Sequence, residues 1–228
     1  MDTFVRFINL MMNDVTFLLD ESLGKLSEIS GIQHEMEAPN WATQNSRHHQ
    51  ERQGLLRSLE GQATSWLALG RSTLDLLEKF TRETRSAFMV PEIVDRLAAM
   101  LTYNLDFLVG PKCQDLKVKD PEKYKFNPRQ LLSDILQVFL NLSQDPAFVM
   151  ALATEGRSYR QSLFDRAAGI AKKRALKTDP EIEQLRVLVE QVEQRRLTLR
   201  QEEEEEGDVP DEFLGKVLNS RLKKALIS

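Results

Sequence analysis

The amino-acid sequence predicts an all-α fold in which amphipathic helices stack as an α-solenoid or bundle. Apolar residues recur with helical period in almost every segment, and no segment shows the period-2 alternation of a half-buried strand. Short connections, three of them marked by an Asn-Pro or Asp-Pro pair, separate the periodic segments, as expected for helices that pack in sequence order. The helix starts are irregularly spaced, so the sequence predicts no strict repeat.

Two long helices are predicted in the first third of the chain. The first covers residues 3–30 and the second about residues 54–81, where Gly61 and Gly70 weaken the helical preference. The polar stretch 37–53 between them shows little periodicity and is predicted to be a loop. The apolar positions are Phe4, Ile8, Met11, Val15, Leu18, Leu23, Leu26 and Ile29 in the first helix, and Leu55, Leu59, Trp66, Leu69, Leu74, Leu77 and Phe80 in the second.

A third helix leads into the most distinctive segment of the chain. Gly110 is predicted to take the left-handed conformation of a C-terminal cap, and Pro111 prevents the helix from continuing. The compact loop that follows, residues 111–125, mixes five lysines with three acidic residues. The buried stripe of this helix consists of Ile93, Leu97, Leu101, Leu105 and Leu108.

Three later helix starts share one device. The pairs 127–128, 145–146 and 179–180 each place an Asn or Asp at the cap and a proline at the first helical position, where a missing amide hydrogen costs nothing. Val90-Pro91 is a version without the capping side chain. The apolar positions of the later helices are Leu131, Leu132, Ile135, Val138, Phe139 and Leu142, then Phe148, Val149 and Leu152, then Tyr159, Leu163, Phe164, Ala167 and Ile170, and finally Ile182, Leu185, Leu188, Val189 and Val192.

Composition excludes several classes of function. With 228 residues the chain can bury roughly 70% of its unfolded surface. A net charge of -4 and a pI near 5.6 argue against a nucleic-acid-binding protein that relies on phosphate contacts. The single cysteine forms no internal disulfide, which favours a reducing compartment. No apolar run is long enough to cross a bilayer, and the first residues do not resemble a signal peptide.

Residue types that carry chemistry are few, and we predict no catalytic, cofactor-binding or metal-binding residue. The three histidines, His34, His48 and His49, lie in or near the most polar stretch and are predicted to be solvated rather than metal ligands. Cys113 stands beside a lysine but has no histidine partner nearby in sequence, so we expect an inert thiol. Asn104 is the nearest thing to a polar interruption of an apolar stripe, and we expect a packed, hydrogen-bonded amide.

Two charged segments are candidate interaction sites, and both have a structural interpretation. The lysine-containing loop 111–125 could bind an acidic partner, but its apolar residues favour a loop folded onto the helices. The acidic run 201–207 is predicted to be a solvated helix end and linker, and its carboxylates oppose the helix dipole, so we expect fraying near Arg200. The expected anchors of the loop are Leu116, Val118, Tyr124 and Phe126.

Four sequence blocks carry a family resemblance. They read FVRFINL with ND and FLLDESL within residues 4–23, NLDFLVGPKCQDLKVKDPEKYKFNPRQLL in residues 104–132, ALATEGRSY in residues 151–159 and DVPDEFL in residues 208–214. As an ordered set they resemble the ubiquitin chain-elongation factors, the ubiquitin-fusion-degradation family of U-box ubiquitin ligases.

The resemblance implies a division of the chain. Residues 1–200 would be the C-terminal part of the family's elongated, armadillo-like helical core. Residues 201–214 would be an acidic hinge that leads into the U-box, the small zinc-free relative of the RING domain that docks a ubiquitin-conjugating enzyme. Residues 215–228 do not resemble a U-box and are too few to form one. We expect an unrelated short basic tail there, and a chain that retains only the scaffold.

The function implied by the resemblance is elongation of ubiquitin chains on substrates that already carry a short chain, for proteasomal degradation. The implied partners are ubiquitylated substrates, a ubiquitin-conjugating enzyme reached only through a U-box, and a hexameric AAA ATPase, with no nucleic acid and no membrane. Such a ligase works by proximity and orientation, so it needs no nucleophile or cofactor of its own. The implied location is the cytoplasm and nucleus.

Two other functions remain open at this stage. The chain could be a non-catalytic helical scaffold that competes for the partners of the family. It could also be an unrelated α-solenoid adaptor, although four ordered blocks argue against that interpretation. Whether sequence coding for a U-box follows Leu214 would discriminate between ubiquitin chain elongation and the non-catalytic scaffold.

Overall fold

The computed structural model describes residues 2–207. Within that range there is no strand, so the predicted all-α fold is confirmed, and short 3-10 turns occupy some of the connections. The α-helices, in chain order, are α1 (Asp2–Glu37), α2 (Ser46–Glu83), α3 (Pro91–Val109), α4 (Pro128–Leu142), α5 (Pro146–Thr154), α6 (Gln161–Lys173) and α7 (Asp179–Gly207).

The first two helices form a long antiparallel pair. Near one end of the pair the rings of Phe7 and Phe80 lie 5.9 Å apart between centroids. Near the other end Glu35 of α1 pairs with Arg52 of α2 at 2.6 Å. The helices approach closely at Gly70, where an added Cβ would lie 3.4 Å from the Cβ of Leu18. Gly70 therefore lets the two helices pack closely, although glycine lowers the intrinsic helical preference at this position.

The later helices add to this pair in sequence order. Helix α3 packs on α1, and α4 packs on both α2 and α3. Helix α5 packs on α3, α6 on α3 and α4, and α7 covers α4, α5 and α6. Each helix thus buries its apolar face mainly against near neighbours in the chain, which is how a solenoid-like stack is stabilised. One continuous apolar core runs through all seven described helices.

The loop between the first two helices is shorter than predicted. Helix α1 continues to Glu37, and α2 begins at Ser46 rather than near residue 54, so only residues 38–45 connect them. The side chain of Asn45 accepts a hydrogen bond from the amide of His48 and caps α2. The prediction was wrong because residues 46–53 carry no apolar side chains that would reveal a helical period, and a cap with polar contacts supports these two turns of helix instead.

The proline-marked starts are confirmed in two of three cases. Asn127 accepts from the amide of Gln130 at 3.0 Å, and Asp145 accepts from the amide of Ala147 at 3.0 Å. The third cap is Thr178 rather than Asp179, because Glu181 accepts from the amide of Thr178 at 2.7 Å and Thr178 Oγ1 faces the amide of Glu181 at 3.4 Å. This reciprocal arrangement is a capping box. Val90 starts α3 without a side-chain cap, as predicted.

Gly110 ends α3 for a different reason than predicted. Its φ is -75° and its ψ is -172°, so its backbone is not left-handed. An added Cβ would instead lie 2.2 Å from Asp106 Oδ1 and 2.3 Å from the carbonyl oxygen of the same residue. Glycine is required here because the backbone passes too close to the last turn of α3 for any side chain.

The acidic run remains helical. Helix α7 extends to Gly207, so the predicted fraying near Arg200 is wrong. Leu199 still packs against the core in this part of the helix. Residues 201–204 are exposed, so their charges repel one another through water, where the interaction is weak. The predicted segment 208–214 and the basic tail 215–228 lie outside the described residues.

The packing around Gly110 predicts opposite effects for two Gly-to-Ala substitutions. Gly110→Ala should lower the free energy of unfolding by about 1–3 kcal/mol, because the new methyl group overlaps the last turn of α3. Gly61→Ala should raise it by roughly 0.5–1 kcal/mol, because Gly61 is an exposed position inside α2 with no atom near the new Cβ. Urea unfolding followed by far-UV circular dichroism measures both values. An unchanged midpoint for Gly110→Ala would contradict the described end of α3.

Candidate functional site

The lysine loop, residues 111–125, and the adjoining Phe126 are folded onto the helices rather than extended into solvent. The loop contains two 3-10 turns, Pro111–Leu116 and Pro121–Tyr124. The predicted anchors are confirmed. Leu116, Tyr124 and Phe126 are buried, and Val118 is half-buried.

One glutamine of α1 fastens both halves of this loop. Gln33 is buried, and its Oε1 accepts a hydrogen bond from the amide of Lys119 at 2.9 Å. Its Nε2 donates to the hydroxyl of Tyr124 at 3.2 Å. One turn earlier on α1, the hydroxyl of Ser30 donates to the carbonyl oxygen of Lys117 at 2.8 Å. The loop therefore uses α1 as a template for its backbone.

Helix α2 holds the second half of the loop. The Tyr124 hydroxyl donates to Glu60 Oε1 at 2.9 Å, and the ammonium of Lys123 lies 2.7 Å from the same oxygen. Burial, together with the hydrogen bond to Glu60, raises the pKa of Tyr124 to about 12. The phenol thus stays protonated and remains a donor at neutral pH.

The lysines of the loop are partly directed at carboxylates of this chain. Lys119 lies 2.8 Å from Glu37, and this pairing lowers the pKa of the Glu37 carboxyl. With Lys123 bound to Glu60, at least two positive charges of the loop are engaged internally. Lys117 and Lys125 are exposed. These contacts favour the structural interpretation of the loop over an open site for an acidic partner.

The histidines are hydrogen-bonded at one end of the α1–α2 pair. His48 Nε2 lies 3.0 Å from Glu35 Oε1, and His49 Nε2 lies 2.9 Å from the carbonyl oxygen of Trp41, whose ring it stacks on at 4.3 Å. The prediction of solvated side chains is therefore wrong for these two half-buried residues, because Trp41 folds back over them. His34 is exposed, and its Nδ1 lies 2.8 Å from the carbonyl oxygen of Ser30.

Neither a metal site nor a membrane span is found in the described part of the chain. Among residues 3–204 no three His, Cys, Asp or Glu side chains converge as metal ligands. No helix in the same range is both long enough and apolar enough to cross a membrane. The three histidines bind separate partners rather than a common point.

The remaining predicted positions, Cys113 and Asn104, show no catalytic arrangement. Cys113 is half-buried and forms no disulfide. Asn104 is 1% exposed and donates from Nδ2 to the carbonyl oxygen of Met100 at 2.9 Å, which confirms a packed amide. Its Oδ1 has no partner among the described residues. Sequence reasoning missed Gln33 and Glu60, because their contacts join positions 63 to 91 residues apart.

Comparisons with known proteins agree on one family. The sequence profile described as "Ubiquitin elongating factor core" matches residues 1–193. A Schizosaccharomyces pombe protein named "Ubiquitin conjugation factor E4" is 46% identical over 224 residues, which cover 98% of this chain and 22% of that protein. The Saccharomyces cerevisiae "E4 ubiquitin-protein ligase UFD2" is 42% identical over 229 residues, which cover 99% of this chain and 24% of that protein.

These matches bear on the predicted division of the chain. The chain spans about a quarter or less of the length of the relatives it matches. The boundaries at residues 200 and 214 stay a prediction. The nature of residues 215–228 also stays a prediction. With the family profile matched over residues 1–193, this chain belongs to the ubiquitin elongating factor core family.

Proposed function

We propose that this chain is the scaffold part of a ubiquitin chain-elongation factor, which extends ubiquitin chains on substrates that already carry ubiquitin. The observation that carries the proposal is the family match over residues 1–193, together with relatives named ubiquitin conjugation factor E4 and E4 ubiquitin-protein ligase. In this proposal the core holds the substrate while a U-box in the family's longer chains docks the conjugating enzyme.

The geometry of the described helices supports a positioning role. Helices α1 and α2 have 36 and 38 residues, so each is a rod of about 55 Å. They pack along their length and carry the lysine loop and two further helices on their sides. A rigid body of this length can hold an acceptor lysine and a thioester at a fixed separation, which lowers the entropic barrier to their reaction.

The finer parts of the proposal rest on the family resemblance. We propose an armadillo-like arrangement of the complete core, a hexameric AAA ATPase as a partner, and a role in proteasomal degradation that includes proteins removed from the endoplasmic reticulum. We also propose action in the cytoplasm and nucleus.

A second candidate function is a non-catalytic scaffold that binds partners of the family without ligase activity. It is favoured by large apolar side chains exposed on α1 and α2, which offer contact area for another protein. The most exposed of these are Leu10 at 63%, Phe17 at 56% and Leu69 at 56%. The chain-extension assay described next separates the two functions.

The 228-residue chain alone should not extend ubiquitin chains when mixed with ubiquitin, activating enzyme, conjugating enzyme, ATP and a ubiquitylated substrate. Replacing residues 215–228 by a U-box of the family should give extension, because the scaffold then carries its docking module. Gel electrophoresis with both proteins side by side measures chain length. Extension by the chain alone would refute the scaffold assignment, and an inactive fusion that still binds ubiquitylated substrate would favour the second function.

If the lysine loop is structural, the hydrogen bonds that hold it to α1 should contribute more to the free energy of unfolding than its exposed lysines do. Gln33→Ala should lower the free energy of unfolding by about 1–3 kcal/mol, because the Lys119 amide and the Tyr124 hydroxyl lose a partner. Lys117→Gln should change it by less than about 0.5 kcal/mol, because that side chain is exposed. Urea midpoints of both variants check this expectation. The reverse order, with Lys117→Gln also abolishing retention on a polyglutamate column, would make the loop an acidic-partner site.

A further inference from the structure

A groove of about 610 Å³ lies between α1 and α3 and is bordered by the loop that follows α5. Its volume is within the range of sites that bind small ligands or short segments of chain. Its apolar floor is formed by Met12 and Phe17 of α1 and by Ala99 and Met100 of α3. Phe17 is 56% exposed, so the floor is open to a partner.

One end of the groove carries an oriented positive charge. The guanidinium of Arg96 on α3 donates to the side-chain oxygen of Asn9 and, at 2.6 Å, to that of Asn13. Both acceptors are neutral amides, so they fix the guanidinium without cancelling its charge. No carboxylate among residues 3–204 lies within 4.0 Å of this guanidinium.

A second arginine borders the same groove. Arg157, in the loop after α5, lines the groove and also a smaller depression with Asp95 and Ala99, which flank Arg96 on α3. Asp95 shares that depression without coming within ion-pair distance of Arg157. The groove is thus lined by two arginines, whose guanidinium groups are suited to bind carboxylates.

The two carboxylates that line the groove are engaged within the protein. Glu155 is 9% exposed and accepts hydrogen bonds from the amides of Arg157, Ser158 and Tyr159. Asp20, at the far end, accepts the hydroxyl of Tyr103 at 2.6 Å, and this hydrogen bond raises the pKa of Tyr103 to about 12. Both carboxylates keep their charge, but donors of this chain occupy their oxygens. The groove therefore presents the Arg96 guanidinium at one end, Asp20 at the other end and an apolar floor between them.

We propose that this groove binds an acidic–apolar peptide segment of a partner protein. An Asp or Glu of the segment pairs with Arg96 and Arg157, and the apolar side chain that follows packs on Phe17 and Met100. Charge-assisted hydrogen bonds would orient the segment, and burial of its apolar side chain would add affinity. The arginines alone would bind any anion, and the apolar floor alone would bind any apolar group. Because both line one groove, a segment with an acidic residue followed by an apolar one fits both.

Fluorescence polarisation with the full chain tests the proposal. The probe is a fluorescein-labelled peptide of sequence GSDEEFLSG, and the matched control peptide is GSKKKFLSG. The acidic peptide should bind saturably, and Arg157→Gln and Phe17→Ala should each weaken it about fivefold or more. Arg96→Lys keeps the positive charge but loses the paired hydrogen bonds of the guanidinium to Asn9 and Asn13. It should therefore weaken binding less than Arg96→Gln, which removes both. Arg186→Gln, at an exposed ion pair on α7, is the control variant and should have no effect.

Several outcomes would overturn the proposal. These are no saturable binding of the acidic peptide up to 1 mM, equal binding of the lysine peptide, or affinity that Arg157→Gln and Phe17→Ala both leave unchanged. Binding of free inorganic phosphate with the same arginine dependence, and no effect of Phe17→Ala, would indicate an anion site instead. Sedimentation that shows dimers dissociated by Arg157→Gln would indicate a second copy of this chain as the occupant. Urea midpoints of every variant show whether a lost signal reflects unfolding.

Discussion

The antiparallel packing of α1 against α2 is the contact on which α3, α4 and the lysine loop are built. Helix α3 and the lysine loop lie on α1, while α4 and the second half of the loop lie on α2. The close approach at Gly70 sets the separation of the two rods. Because Gln33 is on one rod and Glu60 on the other, Tyr124 can bind both only when the rods keep this register. The observed conformation of the loop therefore depends on both helices of the pair.

This dependence suits the scaffold role that we propose for this chain. A family whose members elongate ubiquitin chains needs a body that keeps its shape while large partners bind and leave. Paired rods with a fastened loop supply that rigidity, and buried polar contacts such as those of Gln33 favour one arrangement over others. The groove beside α1 and α3 is a feature of the same body, since Arg96 is oriented by Asn9 and Asn13 across the contact of those two helices.

The sequence predicted the parts of this structure that local chemistry determines. The stripe from Ile93 to Leu105 is fully buried, and Leu108 is partly buried, because helical period places these residues on one face. The caps at Asn127 and Asp145 follow from side-chain chemistry within three residues. Local patterns also gave a wrong assignment where two adjacent residues could both cap a helix. Thr178 caps α7, whereas the sequence predicted Asp179.

What the sequence did not predict depends on contacts between distant residues. The early start of α2 relies on packing around Trp41 and on the pair between Arg52 and Glu35. The constraint at Gly110 comes from how the chain leaves α3, and a preference for glycine does not reveal which neighbour excludes a side chain. The groove arises from segments more than 80 residues apart, so no local pattern in the sequence indicated it.

Hydrogen exchange followed by mass spectrometry on a variant of the α1–α2 contact tests most directly whether the lysine loop depends on the packing of this helix pair. Gly70→Leu places a large side chain against Leu18, whereas the control Gly61→Leu points into open space. The account predicts faster exchange in α1, α2 and the lysine loop of the first variant, with α6 and α7 protected as in the unaltered chain, because stacked elements depend on their neighbours. Unchanged exchange in the lysine loop, or an equal loss of protection in α6 and α7, would contradict it.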